Sequence, residues 1–440
     1  MGKNRILDLF AGAGGISLGL EMFRNEAGEH VFELYRAVEI DRYACQTLRK
    51  NFGEDKVIEG DITDGGIHRR IIRECKGKVS IIVGGIPCQS FSLIGPRSGF
   101  GRKMKKFRDD KRDRLYEEFM KIVGELKPNI VMIENVKGIL SKRDSGGEKI
   151  IAKVVTRLEH LGYNLEDENG NKHMVLNAAD YGVPQRRERV VLIGIKKSWK
   201  NVKMPFIAPT HYDPRKSGSG EHNGLAPYVT VYEAIGDLPE VRPKITFTGI
   251  PGPEKAEITK INSTMDSGGD VVSVNGEKFH QHVERISMSG KRFFEFVRPN
   301  GYKYIDHHVA RSQQKSDIEL FGSLMEGETA GEFMKRNPQL AKSLIKYDMS
   351  TFRDKYRRQK SNEPCTTVFA HLQKDGNRFI HPWQTRTFTP REAARIQSFP
   401  DDFIFEGPMI KKFWQIGNAV PPLMALNMGK SVYEISRGMA

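Results

Sequence analysis

The sequence predicts an α/β protein, with a mostly parallel sheet carrying helices on both faces and a separate, irregular, mostly β domain after it. Three observations predict this. Short apolar runs alternate with helical patterns over the first 200 residues, the alternation fades after about residue 205, and helical patterns return near residue 390. The chain has 440 residues, enough for two or three domains of roughly 100–200 residues each.

The apolar runs 6–10, 32–38, 79–84 and 130–133 read as buried strands, and 190–195 reads as a further one. Helical patterns occupy 15–24, 42–51, 114–126 and 149–161. Strand followed by helix, repeated, is the signature of parallel pairing through crossovers. From about 205 to 382 the chain is rich in Gly, Pro, Ser and His, with loop signals SGSG at 217–220 and PGPE at 251–254. Helices close the chain at 390–396 and 422–436.

Lys and Arg number 70 against 55 Asp and Glu, a formal charge of +15, and such an excess points to a polyanionic partner, nucleic acid first. The four cysteines, Cys45, Cys75, Cys88 and Cys365, exclude a secreted disulfide scaffold and fit a reducing compartment. Asp8 interrupts the apolar start of the chain, so no signal peptide is read there. No apolar run approaches the roughly 18–20 residues of a membrane helix, and no membrane partner is expected. The loop 97–114 holds nine basic and three acidic residues, Arg97 and Arg112 among the basic ones. It reads either as an element that meets phosphate or as a solvated surface loop.

Four motifs carry chemistry. In DLFAGAGG, residues 8–15, a strand runs into Gly12, Gly14 and Gly15 before a helix, a turn that admits a ligand to backbone amides. Ser17 stands where a dinucleotide fingerprint has its third Gly, which weakens a nicotinamide reading. Glu39, at the end of the second strand, can accept ribose hydroxyls, and Asp61, after a third short strand, can meet an adenine amino group. Together these read as an adenosine cofactor site, or as a packing turn with two capping acids. In GGIPCQSFS, residues 84–92, Cys88 follows a buried strand and is either a thiolate nucleophile or a buried structural thiol. Glu134 in ENV ends another strand and can serve as a general acid. In QRRERV, residues 185–190, Gln185, Arg187 and Arg189 alternate and are expected on one face, where the guanidinium groups can anchor a carbonyl or phosphate or simply form local ion pairs.

With REAARIQSFP (391–400) and QIGNAVPP (415–422), these motifs occur in the order found in the cytosine-5 DNA methyltransferases, and the sequence closely resembles that family. The resemblance implies a Rossmann-like S-adenosylmethionine-dependent methyltransferase domain over 1–236 and 415–440, and a smaller target recognition domain over 237–414. It implies that Phe10, Gly12, Gly14, Glu39, Asp61, Ile62, Pro87 and Asn418 bind S-adenosyl-L-methionine. Cys88 would be the nucleophile, with Glu134, Arg187 and Arg189 around the target cytosine, and Gln89, Ser92, Arg97, Arg112 and Gln185 would contact DNA. Arg391, Arg395 and Gln397 would organise the boundary between the domains. The partner implied is double-stranded DNA, met by a monomer in the cytoplasm at the nucleoid. With the first motif beginning at Asp8, no amino-terminal regulatory extension is expected. The likeness is to bacterial or archaeal restriction–modification enzymes, which act beside a cognate restriction endonuclease on the same site. His307 and His308 are read as surface or contact residues, no metal being expected. The rival readings are a transfer-RNA methyltransferase on the same fold, a non-catalytic nucleic-acid binder and a nicotinamide oxidoreductase.

Overall fold

The apolar runs of the first 200 residues form one eight-stranded sheet. Its elements are β1 (Asn4–Leu9), α1 (Gly15–Met22), β2 (Phe32–Glu39), α2 (Arg42–Phe52), β3 (Val57–Glu59), α3 (Gly65–Cys75), β4 (Ile81–Gly85), α4 (Leu115–Leu126), β5 (Ile130–Val136), α5 (Ile150–His160), β6 (Tyr163–Asn164), β7 (Met174–Asn177) and β8 (Glu188–Lys196). The strand order is β3-β2-β1-β4-β5-β8-β6, with β7 also on β8. The pairs from β3 through to β5 are parallel, and β8 runs antiparallel to β5, β6 and β7. The strand order therefore reverses between β1 and β4, and parallel register brings the carboxyl ends of β1 to β5 to one edge. Such an edge is where open α/β sheets bind ligands.

Burial explains the strands. Ile81, Ile82 and Val83 of β4 and Ile130 to Ile133 of β5 are each no more than 2% exposed, because helices cover both faces of a parallel sheet. Asp41 and Asp64 cap α2 and α3, each accepting two backbone amides. The C-terminal helix Pro422–Arg437 belongs to this unit and lies against α1. Two glycines make that approach possible. A Cβ on Gly15 would sit 2.1 Å from the Val420 carbonyl oxygen, and one on Gly19 would sit 2.1 Å from that of Pro422.

The structure, a computed structural model, describes residues 3–86, 115–144, 146–216, 222, 224–246, 252–264, 268–273, 276–298, 304–345, 355–374 and 376–437. It comprises two compact units: Met1–Tyr181 with Arg187–Thr210 and Ala419–Ala440, and Gly182–Arg186 with His211–Asn418. The sequence placed the crossings at 236/237 and 414/415, whereas the units part at 210/211 and 418/419. Residues beyond 210 are tied into the second unit: the Val231 and Tyr232 amides donate to the carbonyls of Glu363 and Ser361, and the Glu233 carboxylate accepts from the Ser287 amide at 3.0 Å.

The mostly β character expected of this second unit needs correction. Its described strands are β9 (His211–Tyr212) paired with β10 (Ala226–Pro227), and β11 (Gly268–Ser273) paired with β12 (Tyr304–Val309). Helices are more extensive: α6 (Val231–Ile235), α7 (Gly252–Thr264), α8 (Gly276–Arg285), α9 (Met288–Val297), α10 (Lys315–Ser323), α11 (Ala330–Arg336), α12 (Pro338–Leu344), α13 (Pro390–Ile396) and α14 (Met409–Asn418). Polar residues start several of these helices. Thr230 with Glu233, Thr329 with Glu332 and Thr389 with Glu392 form capping boxes, and Asn337 caps a helix that begins at Pro338. Leu320, Phe321, Leu324, Phe333, Tyr356 and Ile380 share one core cluster in this unit.

Candidate active site

The glycine-rich turn leaves β1 through residues with left-handed backbone. Phe10 has φ +62°, Gly12 +55° and Gly14 +81°, and for Phe10 this conformation is strained. The glycines differ in purpose. A Cβ on Gly12 would meet nothing within 4 Å, so the space above it is open, whereas one on Gly14 would press on Phe52 and Leu48. Gly12 is thus the point of close approach, and Gly14 is a packing position.

Glu39 holds this turn in place. Its Oε2 accepts from the Gly12 amide at 2.8 Å, and its Oε1 accepts from the Ile40 and Asp41 amides at 2.8 Å each. Burial pushes the carboxyl pKa up against the pull of these donors. Ile40, next along the edge, is 63% exposed, an apolar surface that sequence reading passed over. Asp61 is exposed and its Oδ1 accepts from the Thr63 amide and hydroxyl, while Ile62 is buried. Sequence reading also missed Asp8, which is 1% exposed. It accepts from the Ser17 hydroxyl at 2.5 Å, and burial raises its pKa to about 7. Ser17, in the place of the fingerprint glycine, thus partners a buried acid.

At the other end of this edge Glu134 and Arg189 meet. Antiparallel register sets Glu134 opposite Val191 and Val136 opposite Arg189, so the two side chains lie diagonally on one face. Arg189 Nε lies 2.7 Å from Glu134 Oε1, and Arg189 Nη1 donates to the Glu188 carbonyl at 2.7 Å. Arg187 is 1% exposed and donates to the Ala419 carbonyl at 2.9 Å. Burial and the neighbouring Arg189 charge push its guanidinium well below its ordinary pKa. Arg187 therefore braces the chain at Ala419, within electrostatic range of Glu134, and Arg189 forms the described ion pair with Glu134. Register also pairs Gly85 with Glu134, and Asn135 Nδ2 donates to the Ile86 carbonyl at 3.4 Å. The residue preceding Pro87 and Cys88 is thereby fastened beside Glu134. Pro87, Cys88, Gln89, Ser92, Arg97 and Arg112 themselves lie outside the described residues.

A family model described as C-5 cytosine-specific DNA methylase matches residues 4–434. The chain belongs to that family. Members methylate carbon 5 of cytosine in DNA, and this methylase carries out that reaction. It is 31% identical over 433 residues to the type II methyltransferase M.NgoFVII of Neisseria gonorrhoeae, covering 98% of this chain and 87% of the relative. It is 31% identical over 454 residues to M.AgeI of Thalassovita gelatinovora, covering 97% and 99%. A crystal structure described as that of a DNA modification methyltransferase encoded within an E. coli prophage superposes with a TM-score of 0.65 at 25% identity, covering 99% of this chain and all of that one.

Several expected positions of this methylase lie elsewhere than the sequence suggested. Gln185 precedes β8 and does not share a face with Arg187 and Arg189. It is fully buried in the second unit, its Nε2 donating to the Ile396 carbonyl and Gln397 Oε1 and its Oε1 accepting from the Val368 amide, so it ties segments of that unit together. The partners described for Arg391, Arg395 and Gln397 lie within that same unit: Arg391 donates to three backbone carbonyls, Arg395 to Asp237 and Asp401, and Gln397 to the Ile416 carbonyl. They organise its interior, and Arg395 also donates to the Ala234 carbonyl at 3.1 Å, on the other side of the crossing expected at 236/237. His307 and His308 are buried, not on the surface. His308 contacts the Thr389 hydroxyl and the Pro239 carbonyl, and His307 accepts from the Phe405 amide. Asn418 is the exposed last residue of α14. Among the described residues no helix is long and apolar enough to cross a membrane.

Proposed function

We propose that this methylase transfers a methyl group from S-adenosyl-L-methionine to carbon 5 of a cytosine in a specific double-stranded DNA sequence, through a covalent Cys88 adduct to a flipped-out base. One observation carries the reading: the register of a single sheet gathers the open Gly12 turn, Glu39, Ile86 and the Glu134–Arg189 pair along one edge.

The residues fit the cofactor. Open space at Gly12 suits the methionine portion, Glu39 retains about one of its four lone-pair sites for a ribose hydroxyl, and exposed Ile40 with Asp61 suits the adenine. Phe10, Gly14, Ile62, Pro87 and Asn418 complete the proposed set. Bound S-adenosylmethionine supplies an electrophilic methyl group. Carbon 5 of cytosine is too weak a nucleophile to take that group unaided. Addition of the Cys88 thiolate to carbon 6 makes carbon 5 enamine-like. Glu134 protonates or hydrogen-bonds ring nitrogen 3 as charge builds, and Arg189 holds the carbon-2 carbonyl. After transfer a base removes the carbon-5 proton, and the Cys88 sulfur leaves as the ring double bond re-forms. A base inside a duplex cannot reach such a site and must be flipped out, at a cost of a few kcal/mol.

The first unit then serves as the catalytic domain and the second as the target recognition domain. Gln89, Ser92, Arg97 and Arg112 contact DNA, the basic loop supplying phosphate contacts. The likeness to type II methyltransferases supports a restriction–modification role beside a cognate endonuclease, carried out by a cytoplasmic monomer at the nucleoid. The test is transfer of labelled methyl to unmethylated duplex DNA and to unmodified transfer RNA. Label confined to cytosine carbon 5 in DNA is the expected result, and label in RNA alone would replace the substrate.

A further inference from the structure

Lys137 and Glu188 stand one residue beyond the last paired positions of β5 and β8. The described ladder ends with Val136 opposite Arg189, and continuing its register sets Lys137 opposite Glu188. Lys137 Nζ donates to both carboxylate oxygens of Glu188 at 3.0 Å each. The Glu188 main-chain carbonyl accepts from Arg189 Nη1 at 2.7 Å, and Arg189 Nε meets Glu134 Oε1 at 2.7 Å. The four residues thus form a linked series across two strand ends. On the other side of β8, Asn177 of β7 lies opposite Glu188 and accepts the Arg187 amide at 3.0 Å.

The geometry points to Lys137 and Glu188 as positioning residues for methyl transfer. The ion pair fastens the entry of β8 to the exit of β5. It thereby holds the Glu188 carbonyl where it aims the Arg189 guanidinium at Glu134. Neither side chain touches the base. This inference rests on the proposed roles of Glu134 and Arg189. Both members of the pair are half exposed, at 56% and 53%, and such pairs contribute little to global stability. Loss of the pair therefore shows in turnover and not in melting temperature, since small misplacements of a catalytic group slow a reaction steeply.

The test uses the full chain with duplex DNA. Lys137→Met, Glu188→Gln and the reversed pair Lys137→Glu with Glu188→Lys are assayed for kcat, KM for DNA at two salt concentrations, and Tm. Glu134→Gln and Arg189→Lys are run alongside. Each single change at the ion pair is expected to lower kcat roughly 3- to 10-fold, to leave KM for DNA within about twofold, and to move Tm by less than about 2 °C. The reversed pair is expected to recover most of the lost kcat. Unchanged kcat overturns the inference, as does a reversed pair no better than the single changes. A raised KM with a weaker salt dependence at unchanged kcat also overturns it, making Lys137 a phosphate contact. If Glu134→Gln and Arg189→Lys leave methyl transfer intact, the underlying assignment of that pair fails instead.

Discussion

Arg189 reaches Glu134 diagonally across antiparallel β5 and β8, Nε to Oε1 at 2.7 Å, with each side chain about one-tenth exposed. A pair so placed is pre-set before any base arrives, so little reorganisation remains when charge develops on the ring. Replacing Arg189 by Ala removes a donor and leaves the buried Glu134 charge without this partner. Single-turnover methyl transfer is expected to slow on the order of 10²-fold, while cofactor affinity changes little. A cofactor affinity that falls in step with the rate would count against the assignment.

Cys88→Ala tests the covalent step separately. In the proposed mechanism carbon 5 is then not activated, and turnover is expected to vanish while S-adenosylmethionine affinity stays nearly intact. Isothermal titration beside the activity assay distinguishes this from a folding defect, which would lower both.

Asp8 makes stability depend on pH. Burial raises its carboxyl pKa from 3.8 to about 7 in the folded chain. The unfolded chain therefore releases this proton first, so the contribution of Asp8 to stability is full below about pH 4 and declines until about pH 7. The isosteric Asp8→Asn variant lacks this titration. Its unfolding free energy is expected to gain on that of the native chain across this window, by an amount on the order of 4 kcal/mol at pH 8. Equal pH dependence of the two in urea unfolding would refute the assignment.

Gly19→Ala probes the packing of α1 on the C-terminal helix. The added methyl would meet the Pro422 carbonyl oxygen at 2.1 Å and Ala425 Cβ at 2.7 Å, and backbone atoms yield less readily than side-chain tips. A destabilisation of about 1–3 kcal/mol is expected, read as a lower urea midpoint.

Gln185→Ala separates a buried tie from a DNA contact. It leaves the Val368 amide and the Gln397 side chain without a partner they now have, and a loss of about 1–3 kcal/mol of stability is expected. The salt dependence of DNA binding, a measure of phosphate contacts, should not change. A smaller salt slope at full stability would restore Gln185 as a contact.

Much of the sheet edge was legible in the sequence because each motif there is local. DLFAGAGG, Glu39 and ENV each occupy a strand end, and strand ends follow from short apolar runs punctuated by Gly or an acid. Other features were not legible, because they depend on partners far along the chain. Gln185 alternates with Arg187 and Arg189 and looks like part of the same strand. Its amide is instead claimed by Val368 and Gln397, 183 and 212 residues away. The His307–His308 pair reads as polar surface and is buried by Phe405, Thr389 and Pro239.

By itself, then, the sequence determined the α/β class, the family and the residue types of the chemistry, since apolar period and motif order are properties of the linear chain. Tertiary structure alone decided which glycine lies open, which acid is buried and which arginine meets Glu134. Those outcomes depend on strand register and on burial, and register couples residues tens of positions apart through backbone hydrogen bonds that no local pattern specifies.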